Sequence, residues 1–453
     1  MRPAALRPCL ISSALGLLLA LAGCGDEKRP STPPIGWMPR DGGDADGGAL
    51  DGGDADGGEL DAGELDAGDL DGGNVDGGDP DAGCALPDGG CGMGATGCRL
   101  EGSVVELGTD ARDFDARAVD VVYSGDAFWF GWAQSGGVIS TVQVHRWPLV
   151  GAASTFALTP DRARHRDVQL APTPEGGVAA AWIDNGGVGF QVYGRAVGPG
   201  GSLGAPAVPW TADLLTHQAL DVVATGAGFL ASWAQSDGLG GTSVVAVVPS
   251  GATLAPTAPI AALDTVAVSP LRTALAPSST GATLAWSTTG DVSIVPVSAA
   301  GAPTGTPTVL TTERNGDGTV AVAQGIAAFG VLVAGALPQI RVREFDPSGA
   351  PAGSERIVTS PPTQGIEPGV AAFSPGWLVA YRALPDGTLM TPTIRISYVT
   401  RFGSPNAIFD VASTSREGGP VRIATAPDGR VAVAWAERRS ADVALYAARF
   451  VCD

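Results

Sequence analysis

Residues 101–453 predict an all-β fold, a seven-bladed β-propeller with four-stranded blades, for three reasons. Short runs rich in Val, Ala and Leu are broken by Gly, Pro, Asn and Asp, and no long stretch has the period of a helix. A strand-like motif, GGVAAAWID at 176–184, recurs about every fifty residues. A spare strand before the first repeat is available to close the last blade.

Each repeat carries a marker residue near the end of its motif. The seven markers are Trp132, Trp182, Trp233, Trp286, Val333, Tyr381 and Trp435. An apolar run precedes each motif, a second run follows it, and a Gly-containing turn leads to a fourth short run. Four antiparallel strands per repeat suit a propeller, because each sheet buries its faces only against the next blade. The alternatives are a six- or eight-bladed ring and two stacked sheets.

The two ends of residues 101–453 predict how the ring closes. The seventh repeat stops at Val451 after its third strand, and the spare strand GSVVELG lies at 102–108. We expect this N-terminal strand to complete the last blade. The markers are expected to form the core between blades, and a sugar-binding role is their alternative.

The first 23 residues predict a cleaved secretory signal. Arg2 and Arg7 form a short basic region, and residues 10–21 form an apolar run. A run of about a dozen residues is too short to span a membrane, which takes about twenty. The signal ends in LAGC at 21–24.

This ending resembles the bacterial lipobox. The resemblance implies that the signal is cut before Cys24 and that a lipid is attached to the Cys24 thiol, which anchors the protein in the bacterial cell envelope. No later run of eighteen apolar residues occurs, so the lipid is the expected membrane contact. Gly25 rather than Asp follows the cysteine, which indicates the outer membrane. An ordinary secretory signal, with Cys24 in a disulfide, is the alternative.

A polar, Pro-rich stalk is predicted at 24–40 and a disordered Asp/Gly-repeat linker at 41–83. Asp recurs every fifth residue from Asp41 to Asp81, and the linker holds fifteen Asp and Glu without Lys or Arg. This period fits neither an EF-hand loop nor the nine-residue calcium repeat. A pentapeptide β-helix would stack like charges about 4.8 Å apart. The linker is therefore predicted to be a disordered spacer, and a calcium site and a folded repeat are the alternatives.

A Cys-rich neck is predicted at 84–100, and four cysteines remain after Cys9 and Cys24 are assigned to the signal and the lipid. In the closed ring, Cys98 lies just before the outer strand of the last blade and Cys452 just after its neighbour. We therefore expect a Cys98–Cys452 disulfide, which leaves Cys84–Cys91 as a local pair. Zinc is the alternative, but the chain has no CxxC pair.

The sequence contains none of the usual catalytic motifs. The chain has no G-x-S-x-G elbow, phosphate loop or H-E-x-x-H motif. No catalytic residue, metal or cofactor is therefore predicted. The propeller contains no Lys and is mildly acidic, which argues against nucleic acid as a partner.

One face of the predicted ring is the candidate ligand site. In a propeller, the loops that lead into each blade's first strand and those that join its second and third strands open on the same face. The residues predicted to bind a ligand there are Asp113, Asp115, Asp161, Arg164, His165, Asp213, His217, Arg314 and Asp317. An ordinary solvated loop surface is the alternative, and the histidines are most simply solvated polar residues.

Two classes of function stay open. The first is a surface-tethered binding or scaffold module for a glycan or protein, which a long tether and a rigid ring would suit. The second is a propeller enzyme, a glycan hydrolase or lyase, with an acidic site in the central funnel. The Arg-, Ala-, Gly- and Pro-rich composition with a D-G-G spacer resembles surface lipoproteins of myxobacterial type. This resemblance implies no activity.

Overall fold

The chain divides into two units, Met1–Ala82 and Gly83–Asp453. The predicted signal, stalk and linker, with Cys24, Cys84 and Cys91, lie outside the described residues. The structure, a computed structural model, describes residues 97–110, 119–135, 139–159, 164–185, 190–211, 216–236, 242–247, 249–250, 254–257, 261–266, 272–288, 290–313, 318–332, 338–359, 363–384, 391–401, 403–414, 418–439 and 443–452.

The described residues form antiparallel strands and no helix. Before the first blade come β1 (Cys98–Leu100) and β2 (Val105–Asp110). Blade 1 consists of β3 (Asp120–Ser124), β4 (Ala127–Ser135), β5 (Ser140–Pro148) and β6 (Ser154–Ala157). Blade 2 consists of β7 (Arg164–Pro172), β8 (Val178–Asn185), β9 (Gln191–Val197) and β10 (Val208–Pro209). Blade 3 consists of β11 (Thr216–Thr225), β12 (Gly228–Ser236), β13 (Thr242–Val247) and β16 (Ala261–Val266), with the short pair β14 (Pro249–Ser250) and β15 (Ala255–Pro256) inserted.

The second half of the ring repeats this arrangement. Blade 4 consists of β17 (Arg272–Ser278), β18 (Gly281–Ser287), β19 (Val292–Ser298) and β20 (Thr308–Thr311). Blade 5 consists of β21 (Val320–Ala323), β22 (Ile326–Leu332), β23 (Pro338–Phe345) and β24 (Pro351–Ile357). Blade 6 consists of β25 (Gln364–Phe373), β26 (Gly376–Leu384), β27 (Thr393–Val399) and β28 (Asn406–Ser413). The last strands are β29 (Arg422–Thr425), β30 (Arg430–Arg438) and β31 (Val443–Cys452).

The fold is an all-β propeller, but the predicted number of four-stranded blades is wrong. The described residues form six four-stranded blades, not seven. The last repeat supplies only β29–β31, and these form a five-stranded sheet with β1 and β2, called the closing sheet below. A single closing strand was expected at 102–108. Two short strands, β1 and β2, form in this region instead, and both pair with the edge of β31 that β30 leaves open. The first strands of successive sheets contact each other around the ring, and β29 contacts β3.

Glu101 lies in the interruption between β1 and β2 and fastens it to β31. Its backbone N–H donates to the Arg449 carbonyl at 2.7 Å, and its carboxylate lies 2.9 Å from the Arg449 guanidinium. Three residues before Glu101, Cys98 of β1 lies opposite Cys452 of β31, and the predicted disulfide joins the two. The two ends of the domain are therefore held by a strand ladder, an ion pair and a covalent bond.

The predicted core between blades is confirmed. The markers Trp132, Trp182, Trp233, Trp286, Tyr381 and Trp435 are all buried. In the fifth repeat the predicted marker Val333 is wrong, since the marker position falls at the buried Val331. Val331 lies five residues after Ile326, the first residue of β22, just as Tyr381 lies five after Gly376. Val333 itself lies outside the described residues. Without a tryptophan in this repeat, the sequence does not mark the register.

Arginine side chains link the outer parts of neighbouring sheets. Each donates from its guanidinium to a backbone carbonyl of the adjacent sheet. The pairs are Arg195 to Leu158 (2.6 Å), Arg343 to Leu310, Arg356 to Gly403 (3.0 Å) and Arg449 to Pro148 (2.7 Å). A guanidinium has five N–H donors in a fixed plane, so it can serve a carbonyl and a carboxylate together, which a lysine ammonium does less well. This use of arginine gives a structural reason for the absence of lysine from residues 101–453.

Candidate functional site

The axis of the ring contains a cavity of about 290 Å³ that is lined by the first strands of all the sheets. Four polar side chains face it at one level: Asp120, Gln169, Asp221 and Arg422. All four share one register position, since each pairs with the residue that directly precedes the marker on the second strand. At the remaining positions around the ring this level is mainly apolar, so the charges are gathered on one side of the axis.

Two of these carboxylates hold the next blade in place. An Asp120 oxygen accepts the Leu170 N–H at 2.7 Å, and an Asp221 oxygen accepts the Leu275 N–H at 2.6 Å. Both N–H groups belong to first strands, whose axial edge has no neighbouring strand to accept from them. An unpaired buried N–H is costly, so these bonds stabilise the contact between blades. Asp167 of blade 2 holds blade 3 in the same way, because one of its oxygens accepts the Ala219 N–H at 3.2 Å.

The charges in the channel oppose one another. Burial raises the pKa of Asp221 from 3.8 to about 7; the Asp120 carboxylate adds to this rise, while Arg422 and two backbone N–H groups work against it. Burial also raises the pKa of Asp120, against the attraction of Arg422, whose Nε lies 3.9 Å from an Asp120 oxygen. The single guanidinium therefore serves two carboxylates, and Asp221 can hold or release a proton near neutral pH.

The raised pKa of Asp221 predicts that stability falls as pH rises. An acid whose pKa is raised by folding binds its proton more tightly in the folded chain than in the unfolded chain. Its contribution to stability is therefore present at low pH and is lost as pH rises from about 4 to about 7. We expect Asp221→Asn to remove this loss, because Asn keeps an acceptor for Leu275 without a charge.

Chemical denaturation near pH 5 and near pH 8 provides the measurement. The free energy of unfolding of Asp221→Asn minus that of wild type should be more positive near pH 8 than near pH 5. Asp410→Asn is the matched control, because Asp410 is an exposed carboxylate of an outer strand paired with Arg395. Equal effects of Asp221→Asn at the two pH values would contradict the prediction.

Two histidines predicted to bind a ligand are buried between blades. His165 of blade 2 and His217 of blade 3 occupy equivalent positions in their first strands. The His165 Nδ1 lies 2.7 Å from the Ser140 carbonyl, and the His217 Nδ1 bonds the equivalent Phe190 carbonyl of blade 2. Each imidazole also packs edge-on against a marker tryptophan. Both side chains thus join neighbouring blades, and their part in ligand binding stays a prediction.

His165 also stands between a serine and a carboxylate. Its Nδ1 is 3.3 Å from the Ser140 Oγ, and its Nε2 is 3.5 Å from an Asp184 oxygen. A carbonyl oxygen can only accept, so Nδ1 carries the proton that it donates to the Ser140 carbonyl. An Nδ1 that carries a proton is no base for the Ser140 hydroxyl. This Ser–His–Asp group therefore lacks the geometry of an activated nucleophile.

Most of the other predicted ligand residues lie outside the described part of the chain. These are Asp113, Asp115, Asp161, Asp213, Arg314 and Asp317. Arg164 is described and is exposed at the start of β7. The described residues contain no group of three or more His, Cys, Asp or Glu side chains placed to hold a metal ion. Nor does the described part include a helix long and apolar enough to cross a membrane.

The channel residues Asp120, Asp221 and Arg422 were not predicted from the sequence. A signal was present, because the first strands of repeats one and three both contain Asp-Val-Val and that of the last repeat carries Arg422 in an otherwise apolar run. Charged residues at one register position of buried strands indicate a polar ring at the axis. Their pairing across blades, however, follows only from the closed ring.

No protein-family model matches the chain, and no curated protein sequence matches it. Solved structures resemble it in shape. A protein of unknown function from Dyadobacter fermentans shares 11% identity at a TM-score of 0.47, covering 79% of this chain and 100% of that one. The β-propeller domain of Cps50 (Swd1) from Myceliophteria thermophila shares 13% at 0.45, covering 76% and 99%. A Trypanosoma rangeli sialidase shares 7% at 0.44, covering 78% and 57%. Likenesses this distant carry no argument about activity.

Proposed function

We propose that the protein is a lipoprotein of the bacterial cell envelope, anchored at Cys24, whose propeller binds or scaffolds a glycan or protein ligand. One observation supports a binding role most directly: the buried charges of the described ring serve the ring itself. Asp120, Asp167 and Asp221 accept backbone N–H groups of the next blade, and the two buried histidines join neighbouring blades. A rigid frame of this kind is suited to presenting a face to a ligand.

The binding role is tested with the purified full-length protein, immobilised through its N-terminal segment. Arrays of purified bacterial envelope polysaccharides and peptidoglycan fragments are the probes. We expect saturable binding of at least one glycan that elutes chemically unchanged. A bound glycan that is shortened, or the absence of binding both to these arrays and to purified envelope proteins, would contradict a binding module.

The anchor is tested by Cys24→Ser. Lipid attachment requires the thiol, so the variant should move from the membrane fraction to the soluble fraction after cell lysis. Cys84→Ser is the matched control, since it removes another N-terminal thiol outside the lipobox-like sequence. Membrane partitioning of Cys24→Ser that equals that of wild type would contradict the proposed lipid anchor.

A propeller enzyme is the second candidate, and the pKa of Asp221 favours it. A carboxyl with a pKa of about 7 is suited to act as a general acid at neutral pH. For a hydrolase or lyase, reducing-end release from acidic polysaccharides should be lost in Asp221→Asn and retained in Asp410→Asn. Release that is absent from the wild type, or unaffected by Asp221→Asn, would remove this candidate.

A further inference from the structure

A second cavity opens on the other face of the ring, opposite the predicted ligand-binding loops. It has a volume of about 440 Å³ and lies where the turns of blades 4, 5 and 6 meet. Every residue that lines it belongs to the described part of the chain. Its size falls within the range of about 300–1,000 Å³ that is usual for small-ligand sites. Neither the predicted ligand-binding loops nor the carboxylates of the axial channel lie in it.

Three aromatic residues contribute to the apolar lining of this cavity: Phe345, Phe373 and Trp377. Phe345 and Trp377 are almost completely buried, whereas Phe373 is half-buried and offers the more accessible ring. The Trp377 indole N–H donates to the Gln324 carbonyl at 2.9 Å, which fixes the ring across the boundary between blades 5 and 6. Phe373 packs edge-on against Tyr398 at 6.3 Å between ring centroids. The apolar surface is therefore held in place before any ligand binds.

Charged groups of both signs flank these rings. The Arg401 guanidinium lies 5.9 Å over the Trp377 ring and has no ion pair or hydrogen bond within the described ranges. One Asp346 oxygen accepts the Ser348 N–H at 2.8 Å and the Ala350 N–H at 3.0 Å, which fixes the carboxylate. The second Asp346 oxygen has no partner among the described residues and remains available as an acceptor. Arginine and carboxylate thus offer a donor and an acceptor beside an aromatic surface.

We propose that this cavity binds one saccharide unit of a glycan. A pyranose ring has an apolar C–H face that packs on aromatic rings, and its hydroxyls both donate and accept hydrogen bonds. Asp346 would accept from a hydroxyl and Arg401 would donate to one. Ser278, Ser279 and the Gln324 side chain add neutral polar groups to the same cavity. Because these neutral groups outnumber the two charged ones, the cavity suits a ligand with many hydroxyls better than a zwitterionic amino acid. The inference rests on the proposed binding function and places the ligand on the face opposite the predicted loops.

The test uses saturation-transfer NMR and titration of the full-length protein. The probes are the methyl glycosides of glucose, galactose, mannose, N-acetylglucosamine and rhamnose, with free L-phenylalanine as the zwitterionic comparison. We expect at least one glycoside to bind. Arg401→Ala removes a charged hydrogen-bond donor, and Phe373→Ala removes a ring on which the sugar packs. Each variant should therefore raise the Kd of that glycoside about tenfold or more. Arg401 is exposed, so Arg401→Ala should keep the wild-type melting temperature.

Glu175→Ala is the matched control, since Glu175 is an exposed charge on a turn of the same face in blade 2. It should leave the Kd unchanged. Glycoside binding that persists at full strength in both cavity variants would place the saccharide elsewhere and overturn this inference, while the proposed function would stand. Binding of L-phenylalanine without any glycoside would overturn the saccharide assignment. If no probe binds, the inference falls, and only failure of the polysaccharide and protein arrays would remove the binding function with it.

Discussion

Replacing both Cys98 and Cys452 by serine should lower the melting temperature of the full-length protein by about 8 °C. The disulfide joins residues that are 354 positions apart. In the chain-entropy description, a cross-link over such a distance lowers the conformational entropy of the unfolded chain by the equivalent of about 6 kcal/mol at 25 °C. Divided by the unfolding entropy of a domain of this size, that free energy corresponds to a shift of about 8 °C. The loss should be the same at low and high salt.

The double variant Cys84→Ser with Cys91→Ser is its control, because the predicted pair would close only a short loop. Its melting temperature should stay close to wild type. Deletion of residues 101–108 should be more damaging than loss of the disulfide, since it uncovers the edge of β31 and removes Glu101 from Arg449. A disulfide-free variant that melts like wild type, or a deletion that does so, would contradict the closure as the main fastening of the ring.

Arg382→Met should reduce the free energy of unfolding by about 3–5 kcal/mol, the range for breaking a buried ion pair on one side. The Arg382 side chain is fully buried at the junction of blade 6 and the closing sheet. Its guanidinium donates to Glu367 at 3.1 Å, to the Thr414 hydroxyl at 2.7 Å and to the Ala436 carbonyl at 2.8 Å. Methionine fills a similar volume but donates no hydrogen bond to these three acceptors. The Glu367 carboxylate would then stay largely buried without its positively charged partner.

Chemical denaturation compares Arg382→Met with two further variants. Adding Glu367→Gln should recover part of the lost stability, because it removes the uncompensated charge. Arg395→Met, on the neighbouring strand of blade 6, removes an exposed pair with Asp410 and should cost less than about 1 kcal/mol. Equal losses for Arg382→Met and Arg395→Met, or no recovery with Glu367→Gln, would show that burial of this ion pair does not determine its contribution.

Much of the propeller could be predicted because its pattern is local. Each blade alternates short apolar strands with Gly-rich turns, and the tryptophan of the second strand repeats at nearly constant spacing. The position of Cys98 beside the spare strand also predicted its partner, Cys452. The blade count was less secure, because whether the N-terminal segment forms one strand or two depends on Glu101 and its contact with Arg449, a residue far away in the chain.

The candidate site was harder to predict because its contacts cross between repeats. Asp120, Asp221 and Arg422 belong to three different sheets, and only the closed ring brings them to one level of the channel. The histidines illustrate the same limit. Their polarity suggested a solvated or ligand-binding role, whereas their positions in first strands put them against the carbonyls of the preceding blade. The sequence likewise does not show which arginines link neighbouring sheets, because those contacts join residues of different repeats.

The disulfide also determines how mechanical load enters the ring. All residues before Gly97 are attached to the described ring through Cys98, which is covalently bonded to Cys452 in β31. Tension on the N-terminal segment therefore passes through a sulfur–sulfur bond into a strand that is hydrogen-bonded on both edges, instead of peeling β1 away one bond at a time. Under reducing conditions the same tension would fall on the three residue pairs of β1. The oxidised ring therefore resists tension on its N-terminal segment better than the reduced ring does.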